Sequence, residues 1–341
     1  MQLLRAAALV AAAMLMLAAN VALRDAPAAP SPTAAARRHH VAAPTDTATP
    51  GPAASAPADV APLPDRIQFA AACDDVVVEV GTNTHPDFLD SLAAERAAGR
   101  RPCLLGVEPL VPAAAQAACD KSALGPGACV IVPFAVGPTK DPAGDMITMT
   151  AAADSKCSSL LQPSRGILKA RGRQWENCVT GGDRRRVRLV SLDALLSRLW
   201  PPTLPVRVLA LDMQGFDVFG ASSLRRRALR DRVGNFMFEC QDLRPGDDRW
   251  LVQGSHPCLA GVDCFEKAWG WWFRGCLRNM APREFNCILV NLTHPLAQRT
   301  IAHPFVGVPR DLFTRKGPRS PGRLEVYAPC PAELNFSRAS H

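Results

Sequence analysis

Stacking aromatics are scarce in this chain, which has a single tyrosine among its 341 residues. Two arginine runs, residues 184–186 and 225–227, have no aromatic neighbour. Proteins that bind single-stranded nucleic acids combine a basic groove with stacking rings. We therefore predict no nucleic-acid partner, despite a formal net charge of +8. Either a solvated surface or an anionic partner would account for the two runs.

Closely spaced cysteine pairs are also lacking, because none of the 12 cysteines belongs to a C-x-x-C motif. Zinc sites are typically built from such pairs, so we predict no metal. An even number of cysteines behind an apolar N-terminus is typical of disulfide-bonded proteins of the secretory pathway. Two N-x-S/T sequons, at Asn291 and Asn335, add N-glycosylation to this prediction. The alternative is a cytosolic domain in which the cysteines are reduced packing residues.

The N-terminal region has two segments of different composition. Residues 6–23 contain one polar residue, Asn20, and as a helix they would span about 27 Å, enough for a bilayer core. We predict that residues 1–24 are a signal anchor or a cleaved signal peptide. Residues 25–64 are rich in alanine and proline, which predicts a disordered stem. The protein would then be a type II single-pass membrane protein, for example of the Golgi, or a secreted protein.

Residues 65–341 alternate apolar runs with helical stretches and are predicted to form one domain. Apolar runs such as residues 76–80, in which Glu79 is the single polar residue, are typical of strands buried on both faces. The alternation predicts an α/β fold with a doubly wound, mostly parallel sheet of six or seven strands. The predicted strands are residues 76–80, 103–107, 128–136, 186–191, 206–211, 235–241 and 285–292, and the predicted helices are residues 87–98, 111–119, 192–199 and 222–232.

Polar residues stand at the ends of these strands, where open α/β sheets bind ligands. Glu79, Glu108 and Asp212 each end a strand, and Gln241 ends another. An acid at the end of the second strand is suited to bind the ribose hydroxyls of a nucleoside. The loop after the first strand has one glycine, Gly81, where a pyrophosphate cradle would need three. A nucleoside cofactor without phosphates, such as S-adenosylmethionine, is therefore favoured over a dinucleotide.

Two cysteines are expected to lie near each other in this sheet. Cys73 precedes Glu79 by six residues and Cys103 precedes Glu108 by five. They would therefore stand near the same end of adjacent strands. We predict a disulfide between Cys73 and Cys103.

Six short blocks between about residues 74 and 243 occur in an order that resembles the FkbM-type methyltransferases. These are class I S-adenosylmethionine-dependent enzymes, mostly O-methyltransferases, so the resemblance implies a Rossmann-like, seven-stranded methyltransferase sheet. The blocks are Val78-Glu79-Val80-Gly81-Thr82-Asn83, Gly106-Val107-Glu108-Pro109, Phe134-Ala135-Val136-Gly137, Cys157-Ser158-Ser159-Leu160, Val190-Ser191-Leu192-Asp193-Ala194-Leu195-Leu196 and Leu211-Asp212-Met213-Gln214-Gly215-Phe216-Asp217.

The resemblance also implies roles for individual residues. Asp212 and Gly215 would lie beside the transferring methyl group, and Glu108 would bind the ribose. The methionine end of the cofactor would be held by Glu79, Gly81 and Asn83.

The chain departs from the family pattern at three of its positions. The family usually has glycine where His85 stands, lysine where Ala210 stands and glutamate where Gln214 stands. Methyl transfer to a hydroxyl needs alignment and removal of a proton, and Asp212 is the first candidate base, with His85 second. A structural carboxylate at Asp212 and a helix-cap or surface imidazole at His85 are the alternatives. Asp217 is predicted to start a helix.

These observations together predict an S-adenosylmethionine-dependent methyltransferase of the secretory pathway. Its acceptor would be a hydroxyl of a glycan or a small molecule. The alternative is a non-catalytic cofactor- or glycan-binding protein that retains the methyltransferase fold. A stem-anchored glycosyltransferase is less favoured, because the chain has no Asp-x-Asp motif. The aromatic residues 269–273 would either wall an acceptor pocket or pack in the core.

Overall fold

The computed structural model describes residues 62–154, 157–161, 176–179, 182–241, 258–278 and 284–297. The predicted anchor and nearly all of the predicted stem lie outside these residues. Within them, no helix is both long and apolar enough to cross a bilayer. Leu63 is already buried in the hydrophobic core, so the packed domain includes the last residues before position 65.

The described strands and helices alternate along much of the chain. The strands are β1 (Ile67–Gln68), β2 (Asp75–Val80), β3 (Pro102–Val107), β4 (Cys129–Val132), β5 (Phe134–Val136), β6 (Asp145–Ala151), β7 (Asp183–Val190), β8 (Leu199–Trp200), β9 (Val206–Leu211), β10 (Val233–Gln241), β11 (Trp272–Arg278) and β12 (Glu284–Val290). The helices are α1 (Leu89–Ala97), α2 (Pro112–Lys121), α3 (Glu176–Val179), α4 (Leu192–Ser197), α5 (Asp217–Ser222), α6 (Arg227–Arg230) and α7 (Cys258–Trp269).

A seven-stranded sheet organises the domain, with the strand order β4-β3-β2-β9-β10-β12-β11. The four pairings from β4 to β10 are parallel, whereas β12 is antiparallel to both of its neighbours. The strands β2, β3 and β9 are buried along their whole length, as expected of central strands covered on both faces. The predicted α/β class with a large, mostly parallel sheet is therefore confirmed.

A proline divides the predicted strand 128–136 into two strands of different sheets. Pro133 has no N–H group to donate to a ladder, and it lies between β4 and β5. β4 pairs with β3 in the main sheet, whereas β5 joins a three-stranded sheet of order β5-β7-β6. The prediction that placed β5 and β7 in the main sheet was therefore wrong. β1, β6, β8 and β11 were not among the predicted strands.

Two helix predictions also differ from the structure. The predicted range 222–232 contains only the last residue of α5, Ser222, and the four residues of α6. α6 begins after Arg226, where the backbone is extended, with φ −73° and ψ 116°. The first helix begins at Leu89, and its N-cap residue is Phe88. His85 therefore does not cap this helix.

A buried ion cluster joins the amino-terminal ends of β2 and β9 to α1. Arg207 Nε lies 3.1 Å from Asp75 Oδ1, and Arg207 Nη1 lies 2.6 Å from Glu95 Oε2. The Arg207 side chain is 1% exposed and the Glu95 side chain 4%. Arg100, which is half-exposed, lies 3.3 Å from Glu95 Oε1. A buried guanidinium is thus held between two buried carboxylates far apart in sequence.

Disulfides join several of the described elements. The predicted Cys73–Cys103 disulfide is confirmed. Three further disulfides join Cys119 to Cys129, Cys157 to Cys178 and Cys276 to Cys287. Cys240 and Cys264 each take part in a disulfide as well. Disulfides in this number are typical of secreted or extracellular proteins.

The predicted sequon at Asn291 lies directly after β12 and is buried. Asn291 is 5% exposed, and its Nδ2 donates to the Val233 carbonyl at 3.2 Å. Its Oδ1 accepts from the hydroxyl of Thr293 at 2.7 Å. Both polar atoms of the side chain are therefore committed to the fold. A glycan on Nδ2 would have to break this packing, so this part of the glycoprotein prediction is not favoured by the structure.

We expect the folded protein from a glycosylating secretory host to carry no glycan at Asn291. Enzymatic deglycosylation in heavy-oxygen water followed by peptide mass spectrometry would measure the occupancy, because a released glycan leaves a labelled aspartate. Heavy-oxygen label on most copies of Asn291 in folded, disulfide-bonded protein would contradict the buried placement. The other sequon, Asn335, lies outside the described residues.

Candidate functional site

The order of the central strands creates a switch point between β2 and β9. From β2 the chain proceeds outward through β3 and β4 on one side, and later through β9 and β10 on the other. In such sheets a crevice opens at the carboxyl ends of the strands beside the switch. Glu79 in β2 pairs in register with Gly106 in β3 and with Ala210 in β9. The loops that follow these strands therefore meet at one edge of the sheet.

Gly81 brings the loops after β2 and β9 into direct contact. Its φ is +90°, a region that side chains with a Cβ rarely adopt. A Cβ built on Gly81 would overlap the carbonyl oxygen of Asp212. The Gly81 N–H donates to Val107 O at 2.8 Å, and the Asp212 N–H donates to Val80 O at 2.9 Å. The position therefore requires glycine because the backbone of Asp212 occupies the space a side chain would need.

Glu79 is buried beneath the same loop, and its carboxyl accepts from two backbone amides. Asp87 N–H donates to Oε1 at 2.7 Å, and Phe88 N–H donates to Oε2 at 3.3 Å. Burial, and next the charge of Asp87, raise the pKa of Glu79 from 4.5 to about 8. Asp212 contributes in the same direction. Glu79 thus fixes the segment that leads into α1.

Glu108 holds the loops after β2 and β3 together. Its Oε2 accepts from the N–H of Asn83 at 2.9 Å. Its Oε1 accepts from the N–H groups of Leu110 at 2.7 Å and Val111 at 3.2 Å. Asn83 has a positive φ of 51°, which asparagine tolerates better than most residues. A carboxylate offers about four acceptor positions, so three bonds leave room for one hydroxyl.

Gln214 bridges two carboxylates at the ends of β9 and β10. Its Nε2 donates to Asp212 Oδ1 at 2.8 Å and to Glu239 Oε2 at 2.9 Å. Glu239 is 4% exposed, whereas Asp212 is half-buried. Gln214 itself has a φ of 52°, so the loop is held in an uncommon conformation. Asp212 Oδ2 has no hydrogen-bond partner in the part of the chain that the structure describes.

Asp217 binds the backbone of the loop that follows β9. It is the first residue of α5, as predicted, but it is also buried. Its oxygens accept from the N–H groups of Met213 at 3.3 Å, Gly215 at 3.2 Å and Glu239 at 3.2 Å. Burial, followed by the charge of Asp212, raises the pKa of Asp217 well above its ordinary value. Gly215 is therefore part of the loop that carries Asp212, with a φ of +89°.

His85, the second predicted base, is exposed on the loop between β2 and α1. Its backbone N–H donates to Thr82 O at 3.2 Å, and its Nδ1 lies 3.1 Å from Pro86 O. Among the described residues it shares no hydrogen bond with Asp212. The structure thus brings Glu79, Gly81, Asn83, Glu108, Asp212 and Gly215 to connected loops and leaves His85 at their surface.

Glu239 was not among the predicted site residues. Gln241 was predicted at the end of β10, and Glu239 lies two residues earlier in the same strand. Because side chains alternate along a strand, the two positions share one face of the sheet. This periodicity could have identified Glu239 as a candidate site residue. Its position as an acid inside a mostly apolar run was a second indication.

The aromatic residues near α7 belong to the core. The rings of Trp269 and Trp271 have centroids 5.3 and 6.3 Å from that of Phe236, and Phe265 packs against Trp269 at 4.7 Å. Trp272 is an exception, with 53% of its surface exposed. These contacts favour packing in the core over the alternative in which residues 269–273 wall an acceptor pocket.

The charges that perturb Glu79 and Asp217 are those of other carboxylates, Asp87 and Asp212. Such surroundings suit a cationic ligand and disfavour one that carries phosphates. Near α3, Asp154, Cys157 and Cys178 offer atoms within 4.8 Å of one another, but the two cysteines are joined in a disulfide and so are not free to bind a metal. No family model, curated protein or solved structure matches the chain.

Proposed function

We propose that the protein is an S-adenosylmethionine-dependent methyltransferase that acts on a hydroxyl of a glycan or small molecule in the secretory pathway. The observation that carries the proposal is the connection of three strand ends around Gly81. Glu108 bonds to the loop of Asn83, and the backbone of Asp212 closes on Gly81. The FkbM resemblance assigns Gly81, Asn83 and Glu108 to cofactor binding and implies that Asp212 lies beside the transferring methyl group.

The residues present fit this cofactor in two respects. The loop after β2 has one glycine and approaches β9 closely, which leaves no cradle for a pyrophosphate. Its surroundings are rich in carboxylates, which complement the positive charges of S-adenosylmethionine. Glu108 would accept a ribose hydroxyl at its remaining acceptor position. Glu79 would act through the backbone that it fixes, because its oxygens bind Asp87 and Phe88.

Asp212 is the residue best suited to take the proton of an acceptor hydroxyl. When bound, S-adenosylmethionine supplies a methyl group on a positively charged sulfur. Asp212 Oδ1 is held by Gln214, while Oδ2 is available to accept a proton as the hydroxyl oxygen becomes a nucleophile. Gln214 would keep Asp212 oriented, because its amide also bonds Glu239. The loop is further fixed by Asp217, so alignment does not depend on a mobile side chain.

The full chain is expected to bind S-adenosylmethionine and S-adenosylhomocysteine, and to bind NAD at least 100-fold more weakly. Isothermal titration calorimetry would measure the three affinities under the same conditions. NAD is a matched control because it also carries an adenosine, but joined to phosphates. Folded protein that gives no heat with 1 mM S-adenosylmethionine, or that binds NAD equally well, would overturn the proposal.

Methyl transfer itself is tested with the variant Asp212→Asn. Asparagine keeps an oxygen for Gln214 but cannot accept the proton. At saturating S-adenosylmethionine the rate of methyl transfer should therefore fall about 100-fold or more, beyond any cofactor affinity lost with the Asp212 charge. Transfer of tritiated methyl to a panel of mono- and oligosaccharides gives the rate. Asp90→Asn, which alters an exposed carboxylate on α1, is the control and should retain the wild-type rate.

A non-catalytic binding protein is the second candidate. It is favoured by two positions at which the chain departs from the family pattern, Ala210 and Gln214. Ala210 is 3% exposed in the core of β9, where the family has lysine, and Gln214 uses its amide to bind Asp212 and Glu239. This candidate expects binding of S-adenosylmethionine without product. Measurable methyl transfer that is lost in Asp212→Asn would eliminate it.

A further inference from the structure

One face of the small sheet displays a row of arginines. Side chains alternate between the two faces of a strand, and along β7 Val187 and Leu189 are buried against Met149 of β6. Arg184, Arg186 and Arg188 have the opposite parity and so lie on the outer face. Two of them, Arg184 and Arg186, are exposed, and Arg188 is half-buried. Successive members of the row are separated by about 6.8 Å along the strand.

The partner strand β6 lines this row with small polar side chains. In the antiparallel register, Thr150 is opposite Arg184 and Thr148 is opposite Arg186. Thr148 is exposed and Thr150 is half-buried. Residues directly opposite on neighbouring strands have Cβ atoms about 5 Å apart. The outer face is thus a strip of guanidinium groups flanked by hydroxyls, with no carboxylate in the directly opposite positions.

Arg184 and Arg186 are the exposed members of the row, whereas the Arg188 guanidinium donates to the Gly144 carbonyl at 3.3 Å. Within the described part of the chain, Arg184 and Arg186 have no salt-bridge partner. Arg185 alternates with these residues and so lies outside the row. Its Nη2 is 4.0 Å from Asp183 Oδ2, and both of these side chains are exposed. Arg207 shows the contrast, since its guanidinium is buried between two carboxylates. Exposed, unpaired guanidinium groups are available to bind anions.

We infer that the outer face of β7 and β6 binds a sulfated polysaccharide chain. The defining residues are Arg184, Arg186 and Thr148. An extended polymer with regularly repeated sulfates complements charges spaced along a strand, and guanidinium groups bind tetrahedral oxyanions through paired N–H groups. The disulfides favour an extracellular route, where such polysaccharides occur. This binding face is independent of methyl transfer.

Nucleic acid is the less suitable polyanion for this surface. Strand-tracking grooves for single-stranded nucleic acid place aromatic rings among the basic groups, and base stacking supplies much of the affinity. Arg188 has Met146 of β6 and Phe134 of β5 in the opposite positions, and the residues opposite Arg184 and Arg186 on β6 are threonines. Because Phe134 is only 1% exposed, the face offers charge and hydroxyl contacts but no accessible ring on which a base could stack.

The test measures binding of a heparin decasaccharide to the full chain at 0.15 M NaCl by calorimetry. Arg184→Gln/Arg186→Gln should weaken the affinity about tenfold or more, which corresponds to the loss of about 1.4 kcal/mol. The dependence of log affinity on log salt should become shallower, because fewer counterions are released. Thr148→Asp, which places a carboxylate opposite Arg186, should also weaken binding while keeping both arginines.

Arg225→Gln/Arg227→Gln is the matched control. It removes the same charge from the other exposed run and should change the affinity less than twofold. Equal losses in the two double variants would mean that net charge alone attracts heparin, and would overturn the site. Absence of wild-type binding at 0.15 M NaCl would also overturn it, as would tighter binding of an oligonucleotide of equal charge. Thermal unfolding of each variant checks that the fold is retained.

Discussion

Arg207→Met is expected to lower the free energy of unfolding by about 3–5 kcal/mol, because it leaves two buried carboxylates without their shared cation. Asp75 is 5% exposed and Glu95 is 4% exposed. Methionine fills much of the same volume, so the loss would come from charge and not from a cavity. Chemical denaturation with the disulfides intact would measure the change.

The matched control for this prediction is Arg101→Met. Arg101 also pairs with an aspartate on the neighbouring segment, Asp74, but both side chains are about half-exposed. Exposed ion pairs are worth about 0–1 kcal/mol, so the control should fall in that range. Equal effects of the two substitutions would contradict the buried placement of Arg207. Loss of folded Arg207→Met protein with normal folding of Arg101→Met would agree with it.

The central strands could be predicted from the sequence because burial alone determines them. Residues 76–80 read as a continuous apolar run, and β2 is indeed covered on both faces. The same reasoning found β3 and β9. Glu79 and Glu108 could then be assigned to strand ends, because the carboxyl ends of parallel strands lie at one edge. The Cys73–Cys103 disulfide followed from the same registration.

The small sheet could not be predicted in the same way. Pro133 is a local signal that the run 128–136 is interrupted, but nothing local indicates that β5 pairs with β7 in a separate sheet. β6 has an alternating pattern with exposed Met146 and Thr148, and it becomes a strand because β7 supplies a ladder. Pairing across more than thirty residues is a property of the fold and not of either segment.

The ion cluster illustrates a second limit of sequence reasoning. Arg207 interrupts an otherwise apolar strand. Its partners Asp75 and Glu95 lie 132 and 112 residues away in sequence. No spacing rule joins them, since only the adjacency of β2 and β9 brings Asp75 beside Arg207. Gln214 is similar, because its bonding partner Glu239 belongs to the next strand of the sheet.

The carboxylates of the candidate site have different structural duties. Asp217 binds three backbone amides and Glu108 binds three, so both organise loops. Within the described residues the Asp212 carboxylate accepts one hydrogen bond, from Gln214, and the residue is half-buried directly after β9. The residue with the fewest structural bonds is thus the one most available for chemistry. This division is why Asp212→Asn is informative, whereas changes at Glu108 would also disturb the backbone.

Glu79→Gln is expected to flatten the pH dependence of stability between about pH 4.5 and 8. In the folded protein burial raises the pKa of Glu79 to about 8, whereas the unfolded chain titrates near 4.5. The folded state therefore keeps a proton that the unfolded state has lost. The stabilisation is fully present below about pH 4.5 and is lost as pH rises through about 8. This shift in pKa corresponds to a decrease of up to about 5 kcal/mol in the free energy of unfolding as the pH rises.

Glutamine cannot ionise, so the variant should lose most of this slope. Its amide also cannot accept from both Asp87 and Phe88, which lowers stability by a similar amount at every pH and leaves the slope interpretable. Asp217, whose pKa is raised by burial and by Asp212, contributes in the same direction and would leave a residual slope. Urea denaturation at several pH values from 4.5 to 9 would measure the curves, with Asp90→Asn as the exposed control. Parallel curves for Glu79→Gln and the wild type would mean that Glu79 ionises at its ordinary pH in the folded protein.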